Sequence, residues 1–231
     1  MKHYFTREKP DCLIEDWPGK YDTFSWLEFG ITVPNPMYII TSLKDGGIPN
    51  ANLQAWGLLL GEGKYNHFLM AVLKHHHTYS NVLRTKEWCI NYISKENIKE
   101  SFETIYNNGL NTDEISSAGF TMGKSKVVNT PFIEESKVSL ECELSWEKSL
   151  TEDSKWGLIC GKIVNIIIDD SVMIVEPEKR ISAMNLMYNI RGMVNPLNGD
   201  YYSPNTIGLI NEVIRYFDDT GEKIIYEHKK S

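Results

Sequence analysis

Three consecutive histidines, His75, His76 and His77, stand between a lysine and a threonine in the run LKHHHT. Histidine nitrogens bind metal ions, so a metal site is the first chemistry to consider. Neighbouring side chains point in different directions in a strand or a helix, and one ion would therefore struggle to collect all three rings. A metal-binding protein that uses His75–His77 stays open as one interpretation.

The same run can instead form an anion site. An apolar segment ends at Lys74 and small polar residues follow it, which predicts a strand, a polar turn and a helix that begins near Thr78 or Tyr79. Free N–H groups at a helix start, with a threonine hydroxyl and a lysine ammonium nearby, form a receptor for phosphate. The alternative is that Thr78 caps its own helix while Lys74 and the histidines are solvated.

A second polar segment, IITSLKDGGIPNANLQAWG, carries the amides Asn50, Asn52 and Gln54 with Trp56 behind them. Such amides can serve the hydrogen-bonding edge of a heteroaromatic ligand, and a tryptophan can pack on its face. Asparagines beside a glycine-rich turn are also common turn residues, so this segment alone does not decide between the two interpretations.

The composition limits the class of protein. The chain has 231 residues, which is enough for one buried core. Its formal charge of −7 argues against a general nucleic-acid binder, which would normally have a basic face. No apolar stretch approaches the roughly 20 residues that cross a bilayer, and the first residues lack the apolar segment of a signal peptide. Four scattered cysteines indicate neither a disulfide framework nor a zinc site. We expect no membrane and no nucleic-acid partner, and a cytoplasmic location.

Several runs predict antiparallel strands. The β-branched run 37–43 ends in an Asp-Gly pair, which predicts a hairpin, and HFLMAVLK and EWCINYI add two more strands. Residues 137–146 alternate, which predicts a half-buried strand whose polar face is Ser139, Glu141, Glu143 and Ser145. The apolar run 157–170 predicts a long strand that is bent or bulged at Gly161. Residues 172–175 are expected to continue the sheet beyond a turn at Asp169–Asp170.

Helices are fewer. The spacing of Ile98, Phe102 and Ile105 predicts a helix over 94–109 with Ser94 as its N-cap. A short helix opened by Thr112 follows, and 203–219 predicts a surface helix near the C-terminus. Several antiparallel strands with a few covering helices favour a β-barrel or a mixed α+β fold.

One motif is a decoy. GFTMGKS at 119–125 resembles a phosphate-binding P-loop, but it has three residues between its glycines instead of four and does not join a buried strand to a helix. Nothing matches GxGxxG, so a separate dinucleotide-binding domain is not indicated.

The two polar segments together, in this order, resemble the flavin reductase-like family, to which the flavoredoxins belong. The most specific parts are K…HTYSN followed by TKEWCINY, and AGFTMGKSKVVNTPFIEESKVSLECEL. The resemblance runs from about Pro34 to about Asp170 and implies an antiparallel FMN-binding split β-barrel, mainly β with a few covering helices. It divides the chain into an N-terminal extension, 1–33, and a barrel domain, 34–231, that ends in the C-terminal helix.

The resemblance also implies the residues that hold FMN. They come from the end of the first barrel strand, the segment after the hairpin and the histidine turn: Thr41, Ser42, Asn52, Leu53, Gln54, Ala55, Trp56, Lys74, His77, Thr78 and Asn81. Ala55 stands where family members often carry serine, and Gln54 is the residue nearest to replace that contact. His77 would lie beside the phosphate, with His75 and His76 incidental.

Two functions follow from the resemblance. In the first, an NADH- or NADPH-dependent flavin reductase passes hydride from nicotinamide to flavin, and no side chain is assigned as a catalytic acid or base because the cofactor carries the chemistry. In the second, a flavoredoxin-type protein exchanges electrons with protein partners and has no nicotinamide chemistry. Family members are typically homodimers, so a homodimer is expected.

Overall fold

The computed structural model describes residues 1–106, 108–203 and 205–213. The first six strands of this part of the chain are β1 (Asn35–Pro36), β2 (Tyr38–Leu43), β3 (Pro49–Gln54), β4 (Gly57–Glu62), β5 (Tyr65–Leu73) and β6 (Glu87–Tyr92). The remaining strands are β7 (Met122–Gly123), β8 (Phe132–Ile133), β9 (Val138–Ser149), β10 (Trp156–Ile168), β11 (Met187–Arg191) and β12 (Thr206–Leu209).

The α-helices are short. They are α1 (Lys20–Thr23), α2 (Leu27–Gly30), α3 (His77–Thr85), α4 (Ile98–Tyr106), α5 (Glu114–Ser117), α6 (Asp170–Met173) and α7 (Arg180–Met184). Three 3-10 turns cover Asp45–Gly47, Lys95–Asn97 and Pro177–Lys179. Within these described ranges, no helix is both long and apolar enough to span a bilayer.

A seven-stranded sheet forms the body of the protein. Its order is β3-β2-β6-β9-β10-β5-β4, and each neighbouring pair is antiparallel. Tyr38 on β2 and Phe68 on β5 lie at distant places in this order, yet their ring centroids are 5.1 Å apart in one buried core. The sheet therefore curls around that core, and the predicted mainly β, antiparallel barrel with covering helices is confirmed.

The predicted hairpin after residues 37–43 is confirmed. Strands β2 and β3 pair directly from Tyr38 opposite Gln54 to Leu43 opposite Pro49. Gly46 and Gly47 in the connection have φ values of 76° and 79°, a left-handed conformation that side-chain-bearing residues rarely adopt. This turn fixes the register that carries the amides of β3.

The irregularity expected at Gly161 is also present. The register between β9 and β10 shifts between Cys160 and Gly161. A side chain at Gly161 would collide with Trp88, because a Cβ built there lies 2.3 Å from two atoms of the indole. Glycine therefore lets the fully buried Trp88 pack directly on β10.

Strand β9 differs from the predicted strand with one exposed face. Ser139 and Glu141 on its polar face are buried, whereas Trp146 on its apolar face is exposed. The loop 124–131 covers the start of the polar face, and three of its backbone N–H groups donate to Glu141. The alternation of polar and apolar residues separated the two faces of the strand correctly. It did not predict which face the rest of the chain would bury.

The helix predicted over 94–109 is confirmed, although its spaced apolar residues are not all buried. A 3-10 turn precedes α4, and Ile98 and Ile105 are 39% and 41% exposed while Thr104 is fully buried. Thr104 faces β3 because its hydroxyl oxygen accepts a hydrogen bond from the Leu53 backbone N–H. Of the three predicted apolar residues, Phe102 packs against the buried cluster beneath the helix.

Three other local predictions are corrected. Residues 206–209 form strand β12 rather than part of a helix over 203–219, and Pro204 and the portion from 214 onward lie outside the described residues. Residues 170–173 form α6 instead of continuing the sheet. Helix α5 is capped by Asp113, which accepts from two backbone N–H groups, and not by Thr112.

The N-terminal extension packs against the barrel domain. Trp26 and Phe29 are buried, and the Phe29 carbonyl accepts a hydrogen bond from the Val194 backbone N–H just beyond β11. A separate three-stranded sheet, ordered β1-β11-β12, lies on the same side. Residues 1–33 thus reach the region where β3, β10 and β11 come together, and the domain boundary at 33/34 stays a prediction.

Candidate functional site

A cavity of about 780 Å³, counting the space at its open mouth, lies where the two main sheets and the N-terminal extension meet. It is lined by the end of β3 and the residues after it, the end of β5, the residue before α3, one face of α4, and parts of β10, β11 and β12. Segments far apart in sequence therefore build a single concave surface.

Aromatic rings form one wall of the cavity. Phe24 of the extension stacks on Trp56, with ring centroids 5.6 Å apart and planes 15° from parallel. Trp156, at the start of β10, meets Trp56 edge-on at 5.1 Å, and its indole N–H donates to the Thr23 carbonyl. Rings held in this way offer flat apolar surface to a planar ligand.

An ion pair supports that wall. Arg191 donates to Glu28 from both Nε and Nη2, and the same carboxylate oxygen accepts from the Trp56 indole N–H at 3.0 Å. The guanidinium carbon also lies 4.5 Å from the Phe24 ring centroid and 4.3 Å from that of Trp56. Burial lowers the pKa of Arg191 and Glu28 opposes this, so the charge is retained at neutral pH.

Three residues that line the cavity have buried polar atoms without partners. Among the described residues, buried side-chain atoms that lack a hydrogen-bond partner include Gln54 Oε1, His76 Nδ1 and Thr206 Oγ1, and all three residues line this cavity. An unpaired buried polar group costs about 1–3 kcal/mol, so such groups concentrate where a ligand or water satisfies them. The cavity therefore fits a ligand with an apolar face and a polar edge.

His76 reaches the cavity directly before the start of α3. It is the N-cap residue, and its backbone N–H donates to the Leu73 carbonyl. Burial, then His75 and His77, lower the pKa of His76 below its ordinary value of 6.5. The ring is therefore neutral at pH 7, with one nitrogen able to donate and the other able to accept.

The structure brings one group of the predicted site residues together in the cavity. Asn52, Leu53, Gln54, Ala55 and Trp56 all line it. Asn52 and Gln54 lie two positions apart on β3 and share a face, and the Gln54 amide group donates to Asn52 Oδ1. The hydrogen-bonding edge and the aromatic surface expected from this segment thus occur side by side.

A second group of predicted residues lies together behind the cavity, engaged with neighbours. Asn81 on α3 donates to Ser42 on β2 at 3.1 Å, and Asn50 on β3 donates to Thr78 at 3.2 Å. Thr41 donates to the Pro131 carbonyl at 2.6 Å. The first two contacts fasten α3 to the first hairpin and so position the start of that helix, whereas the contact of Thr41 joins β2 to loop 124–131.

Lys74 and His77 flank the same helix start. Lys74 follows the cavity-lining Leu73, and its ammonium donates to Ser149 Oγ at 2.7 Å on the exposed surface. His77 is the first residue of α3 and is half-buried, while His75 is exposed. The three histidines thus point to different environments, and the described residues contain no cluster of three His, Cys, Asp or Glu that could hold a metal ion.

Sequence reasoning missed the contributions of the extension and the C-terminal region. The cavity residues from these regions are Phe24, Asn189, Arg191, Asn205, Thr206 and Ile207. His76, which the sequence analysis treated as incidental, also lines the cavity. A usable signal lay in the density of aromatic residues between 17 and 29, because such a segment buries its rings against something. No local pattern marked Arg191 or Thr206.

Fold and site together define a class: an antiparallel barrel protein with an open cavity that has an aromatic wall and polar residues at its edge. The family model described as the flavin reductase like domain matches residues 31–192, well over half of the chain. The chain belongs to the flavin reductase-like family, and the resemblance noted in its sequence is confirmed.

Solved structures agree on the fold. Nitrilotriacetate monooxygenase component B from Bacillus cereus is 18% identical with a TM-score of 0.70, covering 88% of this chain and 98% of that one. A Shewanella frigidimarina protein, assigned as a flavin reductase with a split barrel domain, is 16% identical with a TM-score of 0.67, covering 81% and 87%. Flavoredoxin of Desulfovibrio vulgaris is 17% identical with a TM-score of 0.63, covering 82% and 93%.

Proposed function

We propose that this protein binds FMN in the described cavity and acts as an NAD(P)H-dependent flavin reductase. The observation that carries the proposal is the coincidence of stacked aromatic rings with the unpartnered polar atoms of Gln54, His76 and Thr206 in one cavity. An isoalloxazine ring needs both an apolar surface and hydrogen-bonding partners at its edge. Membership of the flavin reductase-like family supports the same ligand.

The phosphate of FMN is proposed to lie at the start of α3. The backbone N–H groups of His77 and Thr78 stand in the first turn of this nine-residue helix, where the helix dipole favours an anion. Lys74 is close in sequence, and its exposed ammonium can exchange Ser149 for a phosphate oxygen. Ser42, Thr41 and Asn81 are proposed to contribute by holding the helix start in place.

The division of labour follows from this arrangement. Bound FMN supplies the redox chemistry, since its ring system accepts hydride from a reduced nicotinamide. The chain binds and orients: Asn52 and Gln54 face the cavity from β3, and the neutral His76 offers a hydrogen bond without a competing positive charge. The wall formed by Phe24, Trp56 and Trp156 keeps water from one side of the cavity.

Lys74→Ala is expected to weaken FMN binding by roughly 10- to 100-fold, because it removes a charge-assisted hydrogen bond to the phosphate. Quenching of flavin fluorescence on titration measures the dissociation constant. Lys162→Ala is the matched control, since Lys162 is exposed and six positions along β10 from the cavity-lining Trp156. A dissociation constant unchanged in the Lys74 variant would remove that residue from the site.

The first test of the function is a titration of FMN into purified, folded protein, followed by visible absorption. Saturable binding at micromolar concentrations or below is expected. NADH or NADPH added without air should then bleach the bound flavin. Binding without bleaching would favour the flavoredoxin-type electron-transfer function, and the absence of binding in folded protein would overturn the proposal.

A homodimer is part of the proposal. Strand β4 is at one end of the seven-stranded sheet, and Leu58, Leu59 and Leu60 on it are exposed. An edge strand with three exposed leucines is an unusual surface for a monomer and is typical of a chain contact. Sedimentation equilibrium should give twice the chain mass, whereas a monomer at micromolar concentration would contradict this.

A further inference from the structure

We propose that Gln54 determines ligand specificity by accepting a hydrogen bond from an imide N–H, the group at position 3 of the isoalloxazine ring. The inference rests on the proposed function, because it takes FMN as the ligand. It adds which atom of the chain recognises which atom of the flavin.

The geometry of Gln54 supports an acceptor. The residue is only 6% exposed and lines the cavity, and its Oε1 has no hydrogen-bond partner. One hydrogen of its amide NH₂ group is donated to Asn52 Oδ1. The oxygen of the same amide is the acceptor that has no partner, in a residue that lines the cavity.

The position of Gln54 on β3 explains how its side chain is held beside the cavity. Asn52 and Gln54 lie on one face of the strand, and Leu53 between them is anchored by its backbone N–H to Thr104 on α4. Tyr38 pairs with Gln54 across the β2–β3 ladder, which fixes the height of Gln54 along the strand. The acceptor is therefore held by two neighbouring elements, as a specificity residue must be.

The chemistry of the flavin edge matches this acceptor. The pyrimidine end of the isoalloxazine carries one N–H donor between two carbonyl oxygens. A buried acceptor that meets this N–H is satisfied, whereas a ligand without the donor leaves it unpaired. Sites built in this way discriminate strongly against analogues that lack the hydrogen-bonding group. The adjacent Trp56 is placed to pack on the ring that the edge belongs to.

The test compares FMN with 3-methyl-FMN, in which a methyl group replaces the N–H hydrogen. We expect the unaltered protein to bind FMN about tenfold more tightly than 3-methyl-FMN, measured by flavin fluorescence quenching. Gln54→Met keeps the length of the side chain and removes the acceptor. It should bind FMN about tenfold more weakly and bind the two flavins within about threefold of each other.

The outcomes separate this inference from the proposed function. If Gln54→Met still binds FMN more tightly than 3-methyl-FMN, the methyl group is rejected by its size. If the unaltered protein binds the two flavins equally, the N–H is not recognised. Either result overturns the inference while FMN binding stands. Failure of both flavins to bind folded protein overturns the proposed function itself.

A second measurement uses only the unaltered protein, so it tests the inference even if the Gln54→Met variant fails to fold. An acceptor at the N–H stabilises the protonated flavin, so deprotonation at position 3 should occur at higher pH in bound FMN than in free FMN. An absorbance titration of the complex measures this pH. A midpoint equal to or below that of free FMN would contradict acceptance by Gln54.

Discussion

Glu141→Gln is expected to lower the free energy of unfolding by about 3 kcal/mol. The Glu141 carboxylate is fully buried and accepts backbone N–H groups from Lys126 at 2.9 Å, Val127 at 2.7 Å and Val128 at 3.1 Å. Asn165 donates a fourth hydrogen bond at 2.7 Å. Glutamine would replace one acceptor oxygen by an NH₂ group that faces an N–H donor. Urea unfolding followed by tryptophan fluorescence measures the loss.

The effect of Glu141 should also depend on pH. Burial alone would raise the pKa of Glu141, but the donated hydrogen bonds outweigh it and hold that pKa below the ordinary value of 4.5. A lowered folded-state pKa gives stability that is complete above about pH 4.5 and is lost as pH falls through the folded value. The difference between the unaltered protein and Glu141→Gln should therefore shrink on acidification below about pH 4.5.

The control for this prediction lies on the same strand. Glu143 is exposed, and Glu143→Gln should change the free energy of unfolding by no more than about 0.5 kcal/mol. Equal effects of the two substitutions would mean that loop 124–131 is not held by the carboxylate. Because Pro131 of this loop accepts the hydrogen bond of Thr41, loosening the loop is also expected to reach the first barrel strand.

Gly161→Ala should cost about 2–4 kcal/mol of folding free energy. The added Cβ would lie 2.3 Å from the Trp88 indole and 3.2 Å from the Glu143 carbonyl oxygen. The indole is fully buried in the barrel core and is rigid, so β10 or the ring must shift. Thermal and urea unfolding measure the loss.

Gly208→Ala is the matched control for Gly161. Gly208 also lies in a strand, but the nearest atom to a built Cβ is 3.6 Å away on Ile190, an ordinary contact distance. Its substitution should alter the free energy of unfolding by no more than about 0.5 kcal/mol. If Gly161→Ala is equally mild, then the core beneath Trp88 has room that the packing does not indicate.

Local sequence was sufficient for the main strands of the barrel and for the family. The hairpin at Gly46–Gly47 was predictable because glycine is the residue that readily takes a positive φ, and the strand over 157–170 because its apolar run is long and continuous. The bulge at Gly161 followed from a lone glycine in such a run. Each of these signals is a property of the local residues and does not depend on which distant segment packs against them.

Local sequence was not sufficient to predict which face of a strand or helix is buried, or which segment buries it. The alternation of residues 137–146 separated two faces, but only packing of loop 124–131 decided that Glu141 is buried. The amphipathic spacing in 94–109 predicted the helix, but it did not mark Thr104 as the side chain that meets β3. A hydrogen bond to a neighbouring strand can outweigh apolar spacing, and the identity of that strand is not a local property.

The sequence by itself determined the pairing of the first hairpin and the presence of a helix at the histidines, and it singled out the Asn52–Trp56 segment, which lines the cavity. Only the tertiary structure decided that His76 rather than His77 lines the cavity, and that Phe24 and Arg191 complete it from opposite ends of the chain. The physical reason is distance along the chain. Periodicity and turn chemistry act between residues a few positions apart, whereas a cavity wall is formed by whichever surfaces the folded barrel brings into contact.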